Sequence, residues 1–384
     1  MKQSIYLDYA AATPLDERAF ASMKPYFSEQ FFNPSAVYQS AREVNKAIEA
    51  ARAVVSSCIG SKDQEVVFTA GGTEANNLAI HGIMRQFPDG NIIVSSIEHD
   101  SVLAPANVYE RRIAPVNKKG ILDLAALESL IDENTVLVSI MLANNEIGTI
   151  QPIKEVAKIV AKIKAQRSFN NKPIYLHTDA CQAANYLDIH VSRLGIDLMT
   201  LNGGKIYGPK QSGALYVRAG TKISPIIYGG GQEDGLRSGT ENVASIIGFA
   251  TMLQNVQADR KEESFRLHKL SNDMFATLSQ KLKGINLNGD SKKRLPNNIN
   301  ILIESIDSER LVMELDEAGL MVSSASACSA SNGKASHVLT ALGLSDNQAN
   351  SSIRLSLGRG TTSEQADTAS EILIQVITQH NQLV

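Results

Sequence analysis

Short apolar runs alternate with longer amphipathic ones over the first two thirds of the chain. Glu65-Val66-Val67-Phe68 reads as a strand, and a helix follows over about 73–85. Asn91-Ile92-Ile93-Val94 is a second strand, and 135–142, rich in Val and Ile and apolar on both faces, is a third. The next helix has Pro152 in its first turn and carries Ile153, Val156, Val160 and Ile163 at helical spacing. Strands over 173–177 and 197–201 come after it. Strands this apolar leave no face for water, so the βαβα order predicts a parallel sheet covered by helices.

Residues 203–239 are rich in glycine and turn formers, and 241–282 is mostly helix-compatible and reads as a long connector. After Pro296 a second α/β unit is predicted: strand 298–303, helix 308–318, strand 352–357 and helix 363–380. The expected division is a large domain over 15–255 and a smaller C-terminal α/β domain over 256–384, with the arm 1–14 packed on the small one. No internal repeat or low-complexity tract is present.

The chain has 384 residues, 43% hydrophobic and 20% charged, with 37 basic against 40 acidic side chains. That is globular composition, with no basic excess of the kind that nucleic acid or an anionic membrane would require. The most apolar run, 136–143, is interrupted by Ser139 and is too short for a bilayer. Residues 1–8 hold no apolar stretch of the signal-peptide type, and Cys58, Cys181 and Cys328 form no CxxC. These features predict a cytoplasmic, reducing location with neither a disulfide framework nor a metal site.

Five places could carry chemistry. Thr69-Ala70-Gly71-Gly72-Thr73-Glu74 joins a strand to a helix; its glycines admit a ligand to the helix N-terminus, and Thr73 could either cap the helix or bond a phosphate oxygen. Neither GxGxxG nor GxxxxGK[ST] occurs, which disfavours a nucleotide fold. Asp179, just past a predicted strand end, is either a capping aspartate or a ligand carboxylate at the sheet's binding edge. Lys205, in Asn202-Gly203-Gly204-Lys205-Ile206-Tyr207-Gly208-Pro209-Lys210, is enclosed by glycines after another strand, as a reachable Schiff-base lysine would be. Cys328 lies among Ser and Ala over 323–331, side chains too small to anchor a loop, so a mobile segment with a candidate nucleophile is expected; Cys58, inside a helix, reads as inert core. Arg354, in Ser352-Ile353-Arg354-Leu355-Ser356-Leu357, faces away from its apolar neighbours, either to solvent or to a carboxylate.

Taken in order, these motifs resemble the cysteine desulfurases of the NifS-like, iron–sulfur-assembly type. The resemblance runs from Tyr6-Leu7-Asp8-Tyr9-Ala10-Ala11-Ala12-Thr13-Pro14 to Arg354-Leu355-Ser356-Leu357-Gly358-Arg359. It implies a homodimeric, fold-type-I enzyme dependent on pyridoxal 5′-phosphate, converting L-cysteine to L-alanine and a Cys328 persulfide for a sulfur-acceptor protein. It further implies that Lys205 holds the cofactor covalently and moves protons, that Asp179 pairs with the pyridine nitrogen, and that His99 stacks on the ring. Gln182 would bond the ring hydroxyl. Gly72, Thr73 and Asn202 would take the phosphate, joined by Thr240 of the partner subunit. Asn145 and Arg354 would hold the substrate carboxylate, and Cys328 would attack the substrate sulfur.

The chain departs from the family at three points. The usual Ser-Gly-His-Lys is Asn202-Gly203-Gly204-Lys205, so an imidazole donor is missing and weaker cofactor retention is expected. Ala325 replaces a glycine beside the nucleophile. The sequence stops at Val384, soon after its final helix, which puts in doubt the scaffold partnership of the family's longer tail. A selenocysteine lyase, or a non-catalytic sulfur carrier on the same fold, is the alternative. An aminotransferase would have no use for the Cys328 thiol.

Overall fold

Strand Val66–Thr69 begins the main sheet, whose order is then Gly213–Val217, Leu198–Asn202, Tyr175–Asp179, Thr135–Ser139, Asn91–Ser95 and Glu110–Ala114. The computed structural model describes residues 4–167, 172–324 and 335–382. Gly213–Val217 runs antiparallel to both its neighbours, and every other pairing in this sheet is parallel. Val66–Thr69 therefore points the same way as the parallel strands, and six strand ends open onto one edge.

The central strands are buried along their whole length. Alternate residues serve two cores: Val67, Ile92 and Val94 face one, and Phe68, Ile93 and Val138 the other. Helices on both faces supply the remainder, as a parallel sheet requires. The 39-residue helix Val243–Lys281 packs against Glu17–Met23, Gln39–Ile59 and the C-terminal helix Ser363–Gln382.

Two strands escape the hydrophobic pattern. Gly213–Val217 lies inside the stretch expected to be turns, and it has no side chain at its first residue for a steric reason. A Cβ on Gly213 would come within 2.4 Å of Leu201 O and 2.9 Å of Gly71 Cα. Glu110–Ala114 is an edge strand with three charged residues in five, so it has no apolar alternation. The strand expected at 173–177 is Tyr175–Asp179, which makes Asp179 its last residue and not a loop residue.

A second sheet, all antiparallel, has the order Ser323–Ser324, Ser352–Ser356, Asn298–Ile303, Ile285–Leu287. Its alternation is sharp. Ile299, Ile301, Ile353 and Leu355 join a core with Leu311, Leu315 and Leu373, whereas Asn298, Asn300, Arg354 and Ser356 share the other face and are buried too. A buried polar face needs hydrogen-bonding partners, and this one finds them in the loop after strand Thr135–Ser139. Asn298 and Asn300 each donate to Glu146 O at 3.1 Å.

The N-terminal arm ties the two sheets together. Ile5–Tyr6 pairs in parallel with Leu320–Met321. Ser356 N–H donates to Leu7 O at 2.7 Å and Ala10 N–H to Ser356 Oγ at 2.9 Å. The arm then reaches the main sheet, where Thr13 Oγ1 donates to Gly204 O at 3.1 Å. No described helix is long and apolar enough to cross a membrane.

Candidate active site

Five of those strand ends, the arm and the polar face of the small sheet enclose a cavity of about 400 Å³. Of the residues expected to form a site, Gly72, Thr73, His99, Asn145, Asp179, Gln182, Asn202, Lys205 and Arg354 all line it. Ligands of open α/β sheets bind at this edge.

One end is built to take an anion. After Thr69 the chain turns at Gly71, whose φ of 112° is left-handed territory open to glycine, and enters the helix Gly72–Met84. Thr73 is not the cap: the N-cap is Gly71 and no side chain caps the helix, so its first-turn N–H groups and dipole face the cavity. A Cβ on Gly72 would stand 2.7 Å from Cys181 Sγ and 3.4 Å from Asn202 Nδ2. Asn202 Oδ1 accepts Gly204 N–H at 3.0 Å, which leaves its Nδ2 as the donor beside the helix start.

The opposite wall carries a fixed carboxylate. Asp179 is buried, and its Oδ1 accepts Cys181 N–H at 2.9 Å. Its Oδ2 accepts Asn76 Nδ2 at 2.7 Å, and the same nitrogen donates to Ser101 Oγ at 2.8 Å. Ser101 Oγ lies 2.8 Å from His99 Nδ1, which also accepts Ser101 N–H at 3.0 Å. His99 Nδ1 is thereby an acceptor, and the ring carries its proton on Nε2. Asp179 and His99 are thus oriented by one chain of donors running through Asn76 and Ser101.

Lys205 closes a single 3₁₀ turn, Gly203–Lys205, and Nζ donates to Ala10 O at 3.0 Å and Ala11 O at 2.6 Å. Tyr207 follows with φ 63°, a costly conformation for an aromatic residue. It is held there by Thr13 Oγ1, which accepts Tyr207 N–H at 2.9 Å, and by Arg359 N–H, which donates to Tyr207 Oη at 2.8 Å. Gln182 Nε2 donates to Ala10 O at 2.9 Å. At the small-sheet side, Arg354 Nη2 donates to Asp8 Oδ1 at 2.6 Å and Nη1 to Asn145 O at 3.2 Å. The arginine read from sequence as solvent-facing or carboxylate-facing is buried and faces a carboxylate.

Of the two other expected residues, one stands elsewhere and one lies outside the described residues. Thr240 is exposed and lines a separate cavity of about 200 Å³. Cys328 lies outside the described residues, although Ser323 on its N-terminal side lines the main cavity. Cys58 is half-buried on helix Gln39–Ile59, and burial pushes its thiol up to about 11. Cys181 is buried as well, and desolvation beside Asp179 raises its thiol well above the usual range, so it is a packing residue at neutral pH. No cluster of three or more His, Cys, Asp or Glu side chains suited to a metal occurs among the described residues.

Asn76, Ser101 and Asp8 are site residues that the sequence did not disclose. Asp8 and the two ends of the Asn76–Ser101 link carry ordinary turn and helix residue types. Asn76, three positions after Thr73 on one helix, offered the only periodic signal.

A family model described as aminotransferase class-V matches residues 5–368. A cysteine desulfurase IscS of Dictyoglomus turgidum is 41% identical over 384 residues, covering 98% of this chain and 95% of the relative. A cysteine desulfurase IscS 1 of Archaeoglobus fulgidus is 42% identical over 379 residues, covering 97% and 96%. Among solved structures, a NifS-like protein superposes with a TM-score of 0.91 at 31% identity, covering 98% of this chain and all of that one. The protein SspA, solved in complex with cysteine, gives a TM-score of 0.79 at 34% identity over 92% of this chain and 99% of its own.

Proposed function

The chain belongs to the aminotransferase class-V family and, within it, to the cysteine desulfurases, and we propose that it takes sulfur from L-cysteine, leaving L-alanine and a persulfide on Cys328. The observation that carries this reading is the meeting of Lys205, Asp179, His99, Arg354 and an uncapped helix N-terminus in one cavity.

Those residues fit pyridoxal 5′-phosphate. The helix start at Gly72 and Thr73, with Asn202 Nδ2 beside it, suits a phosphate, and the glycine leaves room that a Cβ would fill. Asp179, fixed by two donors, suits a protonated ring nitrogen. Lys205, held at the arm's carbonyls, suits covalent attachment. When bound, this cofactor supplies an electron sink for negative charge on the amino-acid carbons.

The protein's own groups do the rest. Asn145 and Arg354 hold the amino acid by its carboxylate, and Gln182 orients the ring from the arm side. Lys205 Nζ and His99 Nε2 carry protons to and from the substrate. The Cys328 thiolate attacks the substrate Sγ: an S–S bond forms, the Cβ–S bond breaks, and the carbon keeps the electron pair and takes up a proton, which gives alanine. Thr240 lies outside the cavity of its own chain, which supports the placement of that hydroxyl at the phosphate of a second subunit in a homodimer. The persulfide then passes to an acceptor protein of the iron–sulfur-assembly or tRNA-thiolation kind.

The test is purified protein with pyridoxal 5′-phosphate, L-cysteine and a thiol reductant, beside Cys328→Ala. Alanine and sulfide in equal amounts, both lost in the variant, are expected. Alanine formation that survives in the variant would remove Cys328 from the reaction and favour a selenocysteine lyase.

A further inference from the structure

Arg354 has two suitors. On the reading above it takes the carboxylate of the amino acid, yet in the protein alone it is already paired, with Asp8 Oδ1 2.6 Å from Nη2. The pair is secluded, with 6% of the Arg354 side chain exposed and 20% of Asp8. A buried guanidinium needs a counter-charge, and Asp8 supplies it. The same charge opposes any second anion that arrives.

The remaining donors of Arg354 show how one carboxylate can still bind. Nη1 is engaged by Asn145 O, but Nε is buried and has no partner among the described residues. An entering carboxylate can use that N–H, and it then shares the cation with Asp8. The other lining cation is Lys205, whose Nζ is engaged by Ala10 O and Ala11 O and which, on the reading above, is the point of covalent attachment. A ligand with a further negative group meets no uncommitted positive charge at this end and lies close to Asp8 in a low-dielectric space.

We propose that Asp8 is a specificity-determining residue: a resident carboxylate on Arg354 that lets the cavity accept amino acids with a neutral side chain and turns away those with an anionic one. The inference rests on the assignment of the cavity to an amino-acid substrate. The position of Asp8 does not depend on its own charge. Main-chain pairing sets the arm, Leu7 O accepting Ser356 N–H, and Tyr6 Oη donates to Asp8 O at 2.8 Å. Asp8→Asn therefore keeps the shape and the acceptor and removes only the charge.

The experiment uses the full chain loaded with pyridoxal 5′-phosphate. L-alanine and L-aspartate are titrated in, and binding is read from the visible absorption of the cofactor. In Asp8→Asn, L-aspartate is expected to bind about tenfold tighter and L-alanine no more than about threefold tighter. Asp8→Glu, which keeps the charge, should retain the parent preference. Equal changes for both ligands in Asp8→Asn, or weakening of both, would overturn the proposal and leave Asp8 as a brace for Arg354. If the loaded parent protein responded to neither amino acid nor to L-cysteine, the amino-acid reading itself would fall, and the proposal with it.

Discussion

Asn76 Nδ2 sits 2.7 Å from Asp179 Oδ2 and 2.8 Å from Ser101 Oγ, so one amide fixes the carboxylate and, through Ser101, the histidine of the same cavity. Both of its hydrogens are committed, and Asn76 Oδ1 is buried without a partner among the described residues. A hydrogen bond to a charged group is worth about 1.5–3 kcal/mol. Asn76→Ala is therefore expected to slow alanine formation at least about tenfold, through kcat more than KM. A loss confined to KM would show that Asn76 does not act through Asp179.

The missing imidazole at Gly204 can be restored. A Cβ there would lie 3.3 Å from Lys210 Cδ and 3.5 Å from Asn202 Oδ1, and the lysine stem can move aside. Gly204→His is expected to tighten pyridoxal 5′-phosphate by about tenfold in equilibrium dialysis, because it adds one donor to a phosphate. Unchanged affinity would mean that the present donors already satisfy the anion.

Gly72→Ala should do the reverse. Its Cβ would meet Cys181 Sγ at 2.7 Å, nearer than real side chains approach, so the helix start and Cys181 must move apart and the cradle beside Asn202 is disturbed. Weaker cofactor binding is expected, with partial rescue in the double variant Gly72→Ala, Cys181→Ala, where the sulfur is gone. If the second change gave no rescue, contact with Cys181 would not be the cause.

Glu98 gives the protein a pH signature. Burial pushes its carboxyl from an ordinary 4.5 up to about 8, with the Asp179 charge adding and the bonds from Ser95 and Met141 opposing. Between those values the folded protein keeps a proton that the unfolded chain has released. Stability from this group is complete below about 4.5 and declines as pH rises through about 8. Glu98→Gln removes the titration, so its melting temperature relative to the parent should climb between pH 5 and 8 by at least about 2 °C. His177, buried and pushed down to about 4, acts with the opposite sign but equally in both proteins. A difference flat with pH would show that Glu98 does not titrate in this range.

Legibility from sequence followed the physics of burial. Strands buried on both faces, such as 91–95 and 135–139, declare themselves by continuous apolar residues, and the site residues at their ends come with them. Gly213–Val217 stayed hidden because close approach to Gly71 and Leu201 selects glycine, which looks like a turn. Glu110–Ala114 stayed hidden because an edge strand tolerates charge. Asn76 and Asp8 were illegible for another reason. Each acts on a partner more than 100 positions away, and only the folded chain brings the two together.

The arm that carries Asp8 also sets a timetable. Ile5–Tyr6 cannot pair until Leu320–Met321 has been made, and Lys205 cannot reach Ala10 and Ala11 until the arm is in place. At about 5–20 residues per second, the arm waits roughly 15–60 s on the ribosome for its partner strand. Through that interval the main sheet can form while one wall of its cavity is missing. The lysine therefore gains its final surroundings only after Leu320–Met321 has been made, so a chain that stops short of it has no closed compartment in which to start the chemistry.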